Sequence, residues 1–215
     1  MKTLIVIRHG QSTANAGEIT QAHESVPLTP LGERQAQAIS RELAWQPSQI
    51  FVSGFLRAQQ TAAPFCRRHA QDAIILPVLN EFSTLDPALI QNMNGAERRP
   101  IIEAYWQRAD PAQRMGEQAE SFIEFDARVS SFLPLMADLP DRAVLFGHGM
   151  WLGLLIWKLL GFSGVCDSLY MKAFRRFQVG LPMPNTAVYT LHDAAQDAWQ
   201  VKADAHLLRL SAAVR

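Results

Sequence analysis

Four short apolar runs in this chain each end in residues that could do chemistry. Residues 3–7 lead into Arg8-His9-Gly10, and residues 50–52 into Ser53-Gly54-Phe55-Leu56-Arg57. Residues 73–79 lead into Asn80-Glu81, and residues 143–146 into Gly147-His148-Gly149. One arginine or histidine at a strand end usually faces water or caps a loop. Four such groups in succession point further. Neighbouring parallel strands end at one edge of a sheet, and open α/β sheets bind ligands outside that carboxyl edge. The residue types that would meet there suit a phosphoryl group. The guanidiniums of Arg8 and Arg57 match its oxygens in bidentate fashion. Imidazole, with an unperturbed pKa of about 6.5, is a competent nucleophile near neutrality. A glutamic acid such as Glu81 could protonate a leaving oxygen. Nothing in this set requires a metal. Gly10, Gly147 and Gly149 lack a Cβ, so backbone and ligand can approach closely.

Competing catalytic patterns are absent. A Cys-x5-Arg loop fails at both cysteines, because Asp72 and Lys172 stand six residues after Cys66 and Cys166. His23-Glu24 is followed by Ser-Val-Pro, so there is no H-E-x-x-H zinc site. Gly147, Gly149 and Gly153 resemble a loosened dinucleotide loop, but no acidic strand end follows at the required distance.

Elements to position these residues are legible in the pattern. Residues 3–7, 50–52, 73–79 and 143–146 read as buried strands. Thr29 and Pro30 read as the N-cap and first position of a helix running to about residue 45. Residues 55 to about 69 read as helical, with Pro64 at odds with that pattern. Residues 122–136 have helical spacing, and Pro134 is expected to kink or end that helix. Residues 150–160 read as a buried helix. Two closing strands, 186–191 and 199–202, are expected to pair antiparallel around a turn at 193–197. Strands alternating with helices imply an α/β fold, a three-layer α/β/α sandwich with a mainly parallel mixed sheet. Residues 1–215 read as one domain. Within it, residues 83–119 are punctuated by Pro87, Pro100 and Pro111 and read as an irregular or partly helical insertion placed to form a lid.

Composition narrows the partners. The 215 residues carry 20 Lys+Arg and 20 Asp+Glu, with 48% hydrophobic and 19% charged residues. That excludes a disordered chain. It also supplies no long-range field for nucleic acid or an acidic membrane surface. Two cysteines far apart, no apolar leader and no apolar run of about 20 residues point to a cytoplasmic protein with no membrane partner.

Taken in order, four motifs resemble a known family. They are Arg-His-Gly-Gln-Ser-x-x-Asn (8–15), Leu-Thr-Pro-Leu-Gly-x-x-Gln-Ala (28–36), Ser-x-x-x-Arg-Ala-x-x-Thr-Ala (53–62) and Gly-His-Gly (147–149). The set is similar to the histidine phosphatase superfamily, in its phosphoglycerate mutase-like branch. The likeness extends to Pro-Asn-Thr-Ala at 184–187 and so covers nearly the whole chain. It implies a phosphoglycerate mutase-like fold and no cofactor. It implies that His9 becomes a phosphohistidine and that Glu81 is the general acid. Arg8, Asn15, Arg57 and a protonated His148 would hold the phosphoryl oxygens. The expected function is a metal-independent phosphomonoester hydrolase acting on a small phosphorylated substrate. The alternatives are a phosphoglycerate-type phosphomutase and a catalytically idle member that binds phosphorylated ligands. Residues 82–87, Phe-Ser-Thr-Leu-Asp-Pro, depart from the glycine- and aromatic-bearing segment usual after that glutamate. Ser12 and Thr13 read as turn caps, and Arg98 and Arg99 are given no role.

Overall fold

Every residue of the first strand from Leu4 to Ile7 is apolar because both faces of that strand are covered. In the computed structural model, which describes residues 2–19, 22–194 and 198–213 (210–213 as backbone only), it is the strand β1, Thr3–Arg8. Leu4 and Val6 join one core, and Ile5 and Ile7 the other. The remaining strands are β2 (Ile50–Val52), β3 (Ala73–Ile75), β4 (Val144–Gly147), β5 (Val188–Asp193) and β6 (Trp199–Ala203). Among the described residues they form one sheet in the order β3-β2-β4-β1-β5-β6. β3, β2, β4 and β1 are mutually parallel, while β5 runs antiparallel to both β1 and β6. Arg8 is level with Gly147, and Val52 with Phe146 and Ile75, so the four parallel strands end side by side.

Helices cover both faces. On one side lie α1 (Pro30–Glu42) and α2 (Leu56–His69), whose Ile39, Ala58, Ala62 and Phe65 pack on Ile5, Ile7, Val144 and Phe146. α3 (Gly95–Arg108), α4 (Phe122–Asp138), α5 (Gly149–Leu159) and α6 (Ser168–Gly180) contribute to the core on the other side. α7 (Ala205–Ala213) returns to the first side through Leu207. This is the three-layer α/β/α sandwich with a mainly parallel mixed sheet.

Several elements differ from the sequence reading. The strand expected over 73–79 stops at Ile75, and Pro77–Leu79 turns as a short 3-10 helix. Ile74 and Ile75 are exposed, as befits a short edge strand. Pro134 does not end α4. It lies exposed near the helix's last turn, so the carbonyl it leaves without a donor can turn to water. α1 ends at Glu42, short of residue 45. Residues 83–119 hold α3, opened by a capping box between Asn94 and Glu97. α6 and α7 were not anticipated, although Asp167 caps α6 by accepting from the Tyr170 N–H at 2.9 Å. Residues 195–197 of the expected turn lie outside the described residues. Among the described residues, no helix is long and apolar enough to cross a membrane.

Candidate active site

The carboxyl edge of the sheet brings His9, Arg8, Arg57, Glu81 and His148 together. His9 is held through its backbone. Its N–H donates to Gly147 O (3.0 Å), and its carbonyl accepts from Thr186 N (3.1 Å) and Asn185 Nδ2 (3.2 Å). The Pro-Asn-Thr-Ala segment therefore fastens His9 from the β5 side. Gly10 N–H donates to Thr61 Oγ1 of α2 at 3.0 Å. A Cβ on Gly10 would stand 2.6 Å from Gly32 O, and one on Gly32 would stand 2.0 Å from Gln11 O. The first turn of α1 thus lies directly on the loop that carries His9.

Both histidine tautomers follow from their partners. His9 Nδ1 lies 2.6 Å from Gly10 O, and a carbonyl can only accept, so Nδ1 carries the proton. His9 Nε2 accepts from Arg57 Nε at 3.3 Å and presents a lone pair. Burial, then Arg57 and Arg8, lower the His9 pKa well below its usual 6.5, with the Gly10 bond opposing. His148 is fully buried, its ring centroid 5.1 Å from that of His9. Its Nε2 lies 2.7 Å from Ser53 Oγ, while its Nδ1 is buried with no partner among the described residues. Burial, then Arg57, His9, Arg8 and Arg128, lower its pKa well below 6.5. The protonated His148 expected from sequence is therefore neutral with protein groups alone around it.

Arg57 enters from the first turn of α2. Nη1 donates to His23 O at 2.7 Å, and the guanidinium lies over the Phe55 ring at 5.0 Å. Burial pushes its pKa down to about 10, against the opposing charge of Glu81. Arg8 donates through Nη1 to Met183 O, and its buried Nε has no partner among the described residues. A Cβ on Gly149 would come 3.1 Å from that Nε, which accounts for glycine there. Burial lowers the Arg8 pKa, again with Glu81 opposing. Glu81 lies on the start of α5: Oε2 accepts from Met150 N (3.0 Å), and Oε1 from Trp151 N and Phe82 N (3.0 Å each).

Arg8, His9, Asn15, Arg57 and Glu81 line one cavity of about 240 Å³, which Val26, Phe82, Leu85, Ile90 and Ile102 wall with apolar surface. Asn15, at the exposed rim, accepts through Oδ1 from Asn185 Nδ2 (2.9 Å) and Ser12 N (3.4 Å). Buried Arg98 also lines it and donates to Met93 O (3.0 Å) and Glu18 O (3.2 Å), whereas Arg99 is exposed. A second cavity of about 520 Å³ adjoins the first at His23 and Glu81. Sequence reasoning gave no role to Ser53, Asn80, His23 or Asn185. Their parts depend on side-chain bonds across distant segments, such as His23 Nε2 donating to Leu85 O at 2.6 Å.

A mainly parallel sheet whose carboxyl edge delivers two arginines, two histidines and a glutamate defines a class: an α/β protein with a small buried cationic pocket. Residues 4–203 match the histidine phosphatase superfamily (branch 1), and the chain belongs to that family. "Probable phosphoglycerate mutase GpmB" of Cronobacter sakazakii is 33% identical over 174 residues, 78% of this chain and 79% of the relative. The protein of the same name from Yersinia enterocolitica is 32% identical over 173 residues, 75% of this chain and 76% of the relative. The fold is shared with mycobacterial glucosyl-3-phosphoglycerate phosphatase (24% identity, TM-score 0.69, covering 94% of this chain and 97% of the other). It is also shared with alpha-ribazole phosphatase from Shigella flexneri (21% identity, TM-score 0.71, 94% and 95%).

Proposed function

We propose that this protein is a metal-independent phosphomonoester hydrolase that works through a phosphohistidine. The observation that carries the reading is the state of His9. Its Nδ1–H is tied to Gly10 O, so its Nε2 lone pair lies beside Arg57 in the cationic cavity. Nε2 gives up the Arg57 N–H and attacks phosphorus in line as the bond to the leaving oxygen breaks. Arg8, Arg57, Asn15 and His148 hold the phosphoryl oxygens, where most of the catalytic work of phosphoryl transfer lies. Glu81 gives a proton to the leaving alcohol. Its Oε2 has a single N–H partner among the described residues, so that oxygen has a position left for the proton. Glu81 then takes a proton from the water that hydrolyses the phosphohistidine. Residues 1–215 act as one domain in this reading. Residues 83–119 serve as the lid, supported by Leu85, Ile90 and Ile102 in the cavity wall. The substrate is a small phosphate ester met in the cytoplasm, with no nucleic acid, membrane or cofactor taking part.

The test is turnover of an aryl phosphate in the presence of a chelator. Wild type should keep its rate, and His9→Ala should lose about 10³-fold or more. Wild-type turnover by the variant would remove His9 as nucleophile, and loss of wild-type activity with chelator would remove metal independence. The relatives named phosphoglycerate mutase favour a second reading, in which the phosphoryl group returns to the substrate. Product analysis on a phosphorylated three-carbon acid separates the two. A trapped acid-labile phosphoenzyme excludes an idle phosphate-binding member.

A further inference from the structure

We propose that Ser53 and Asn80 are positioning residues that fix the tautomer of His148, so that the productive phosphate ester is the one bearing a single proton. This rests on the hydrolase reading above. The hydrogen positions follow step by step. Gly54 N–H donates to Asn80 Oδ1 at 2.8 Å, which identifies that atom as the oxygen of the amide. Ser53 Oγ lies 2.8 Å from the same oxygen, so the hydroxyl proton is spent there. The Ser53 oxygen can then only accept. It does so from Phe55 N–H at 3.2 Å and from His148 Nε2 at 2.7 Å. His148 Nε2 therefore carries the ring's proton, and Nδ1 is a bare lone pair.

The surroundings keep it so. Arg8 at the end of β1, His9 just beyond it, Arg57 from α2 and Arg128 from α4 act on the ring with positive or ionisable groups. Two acids oppose this charge: Glu81, set against the first turn of α5, acts on Arg8 and Arg57, and Glu120 pairs with Arg128 at 2.7 Å. In the hydrolase reading a phosphoryl oxygen meets His148, and a lone pair at Nδ1 would repel the oxygen of a doubly charged phosphate. A singly charged ester removes the conflict, because its P–O–H can donate to Nδ1. The proton then moves to nitrogen, giving an imidazolium and a dianion with no bond to phosphorus made or broken. The complex thus holds one proton that neither the neutral pocket nor the dianion holds. Above the second pKa of the ester, about 6 for an alkyl phosphate, kcat/KM should fall about tenfold per pH unit.

Two measurements decide it. The first is the pH profile of kcat/KM on substituted phenyl phosphates of differing second pKa. In wild type and Ser53→Thr the alkaline limb should follow the pKa of each ester. In Ser53→Ala, Nε2 loses its acceptor and the Nδ1–H tautomer can donate to the dianion, so the limb should flatten or move to higher pH. An alkaline limb indifferent to the ester, or a Ser53→Ala profile parallel to wild type, overturns the proposal. The second is long-range 1H–15N spectroscopy of the histidine rings, assigned with His148→Asn and read with and without inorganic phosphate. Wild type should show Nε2–H and a bare Nδ1, with Nδ1 gaining the proton when phosphate is added below neutral pH. A bare Nε2 in wild type overturns the proposal whether or not the protein hydrolyses anything. Absence of turnover with the expected spectra would instead sink the hydrolase reading alone.

Discussion

His9 is neutral for a reason that can be read from its neighbours: burial and two guanidiniums oppose a charge on the ring. The consequence is kinetic. A nucleophile must be unprotonated, and its lowered pKa keeps it so well into acid. The acid limb of kcat/KM assigned to His9 should therefore lie below the ordinary imidazole value of about 6.5. A pH profile on an aryl phosphate reads this directly, and a limb at or above 6.5 would contradict the electrostatic picture. At this scale the candidate residues themselves were legible, because Arg, His and Glu at strand ends announce their chemistry. Their protonation states were not. They depend on Gly10 O, Ser53 Oγ and Asn80 Oδ1, and a hydroxyl 95 residues away in sequence leaves no periodic trace.

α1 shows how an element can be legible while its purpose is hidden. Thr29 and Pro30 mark its start, and Thr29 Oγ1 indeed accepts from Gly32 N at 3.1 Å. The same hydroxyl lies 2.8 Å from Gln11 Oε1, so the cap is also a tie to the loop that bears His9. Thr29→Ala should cost about 1 kcal/mol of stability. Gly32→Ala should cost more, since its Cβ would meet the Gln11 carbonyl at 2.0 Å and backbone must move. It should also lower kcat/KM, because the displaced loop carries His9, the proposed nucleophile. Denaturant midpoints and kinetics of the two variants check both orderings, and a Gly32→Ala variant milder than Thr29→Ala would refute the close packing. Elements with a clear apolar period or cap were readable in this way. The 3-10 turn at Pro77–Leu79 was not, because an apolar run of that length reads equally as strand. α6 was missed despite its cap, because its buried contacts reduce to Met171 and Phe174.

Equal numbers of acidic and basic residues conceal an uneven distribution across the whole molecule. Arg8, His9, Arg57 and His148 share one buried region, and Glu81 is the acid that acts on both arginines there. Such a region makes folding depend on pH. The pKa values of His9 and His148 are lowered in the folded state, so between about 6.5 and those lower values the unfolded chain binds more protons. Stability is then fully present above about pH 6.5 and declines as pH falls below it, by up to about 1.4 kcal/mol per pH unit for each ring. His69, also lowered, is far less buried and adds little. Asp86 and Glu124 are held below the usual carboxylate range, Glu124 at about 2, so their loss comes at lower pH and leaves the window from 7 to 5 to the histidines. Urea midpoints measured across that window should fall steeply in wild type and much less in a His9→Asn, His148→Asn double variant. Inorganic phosphate should flatten the wild-type decline, because an anion bound in the pocket offsets the charge that the buried rings would otherwise carry alone. Equal slopes in wild type and the double variant would mean that the two rings titrate alike folded and unfolded, which is incompatible with their burial beside two arginines.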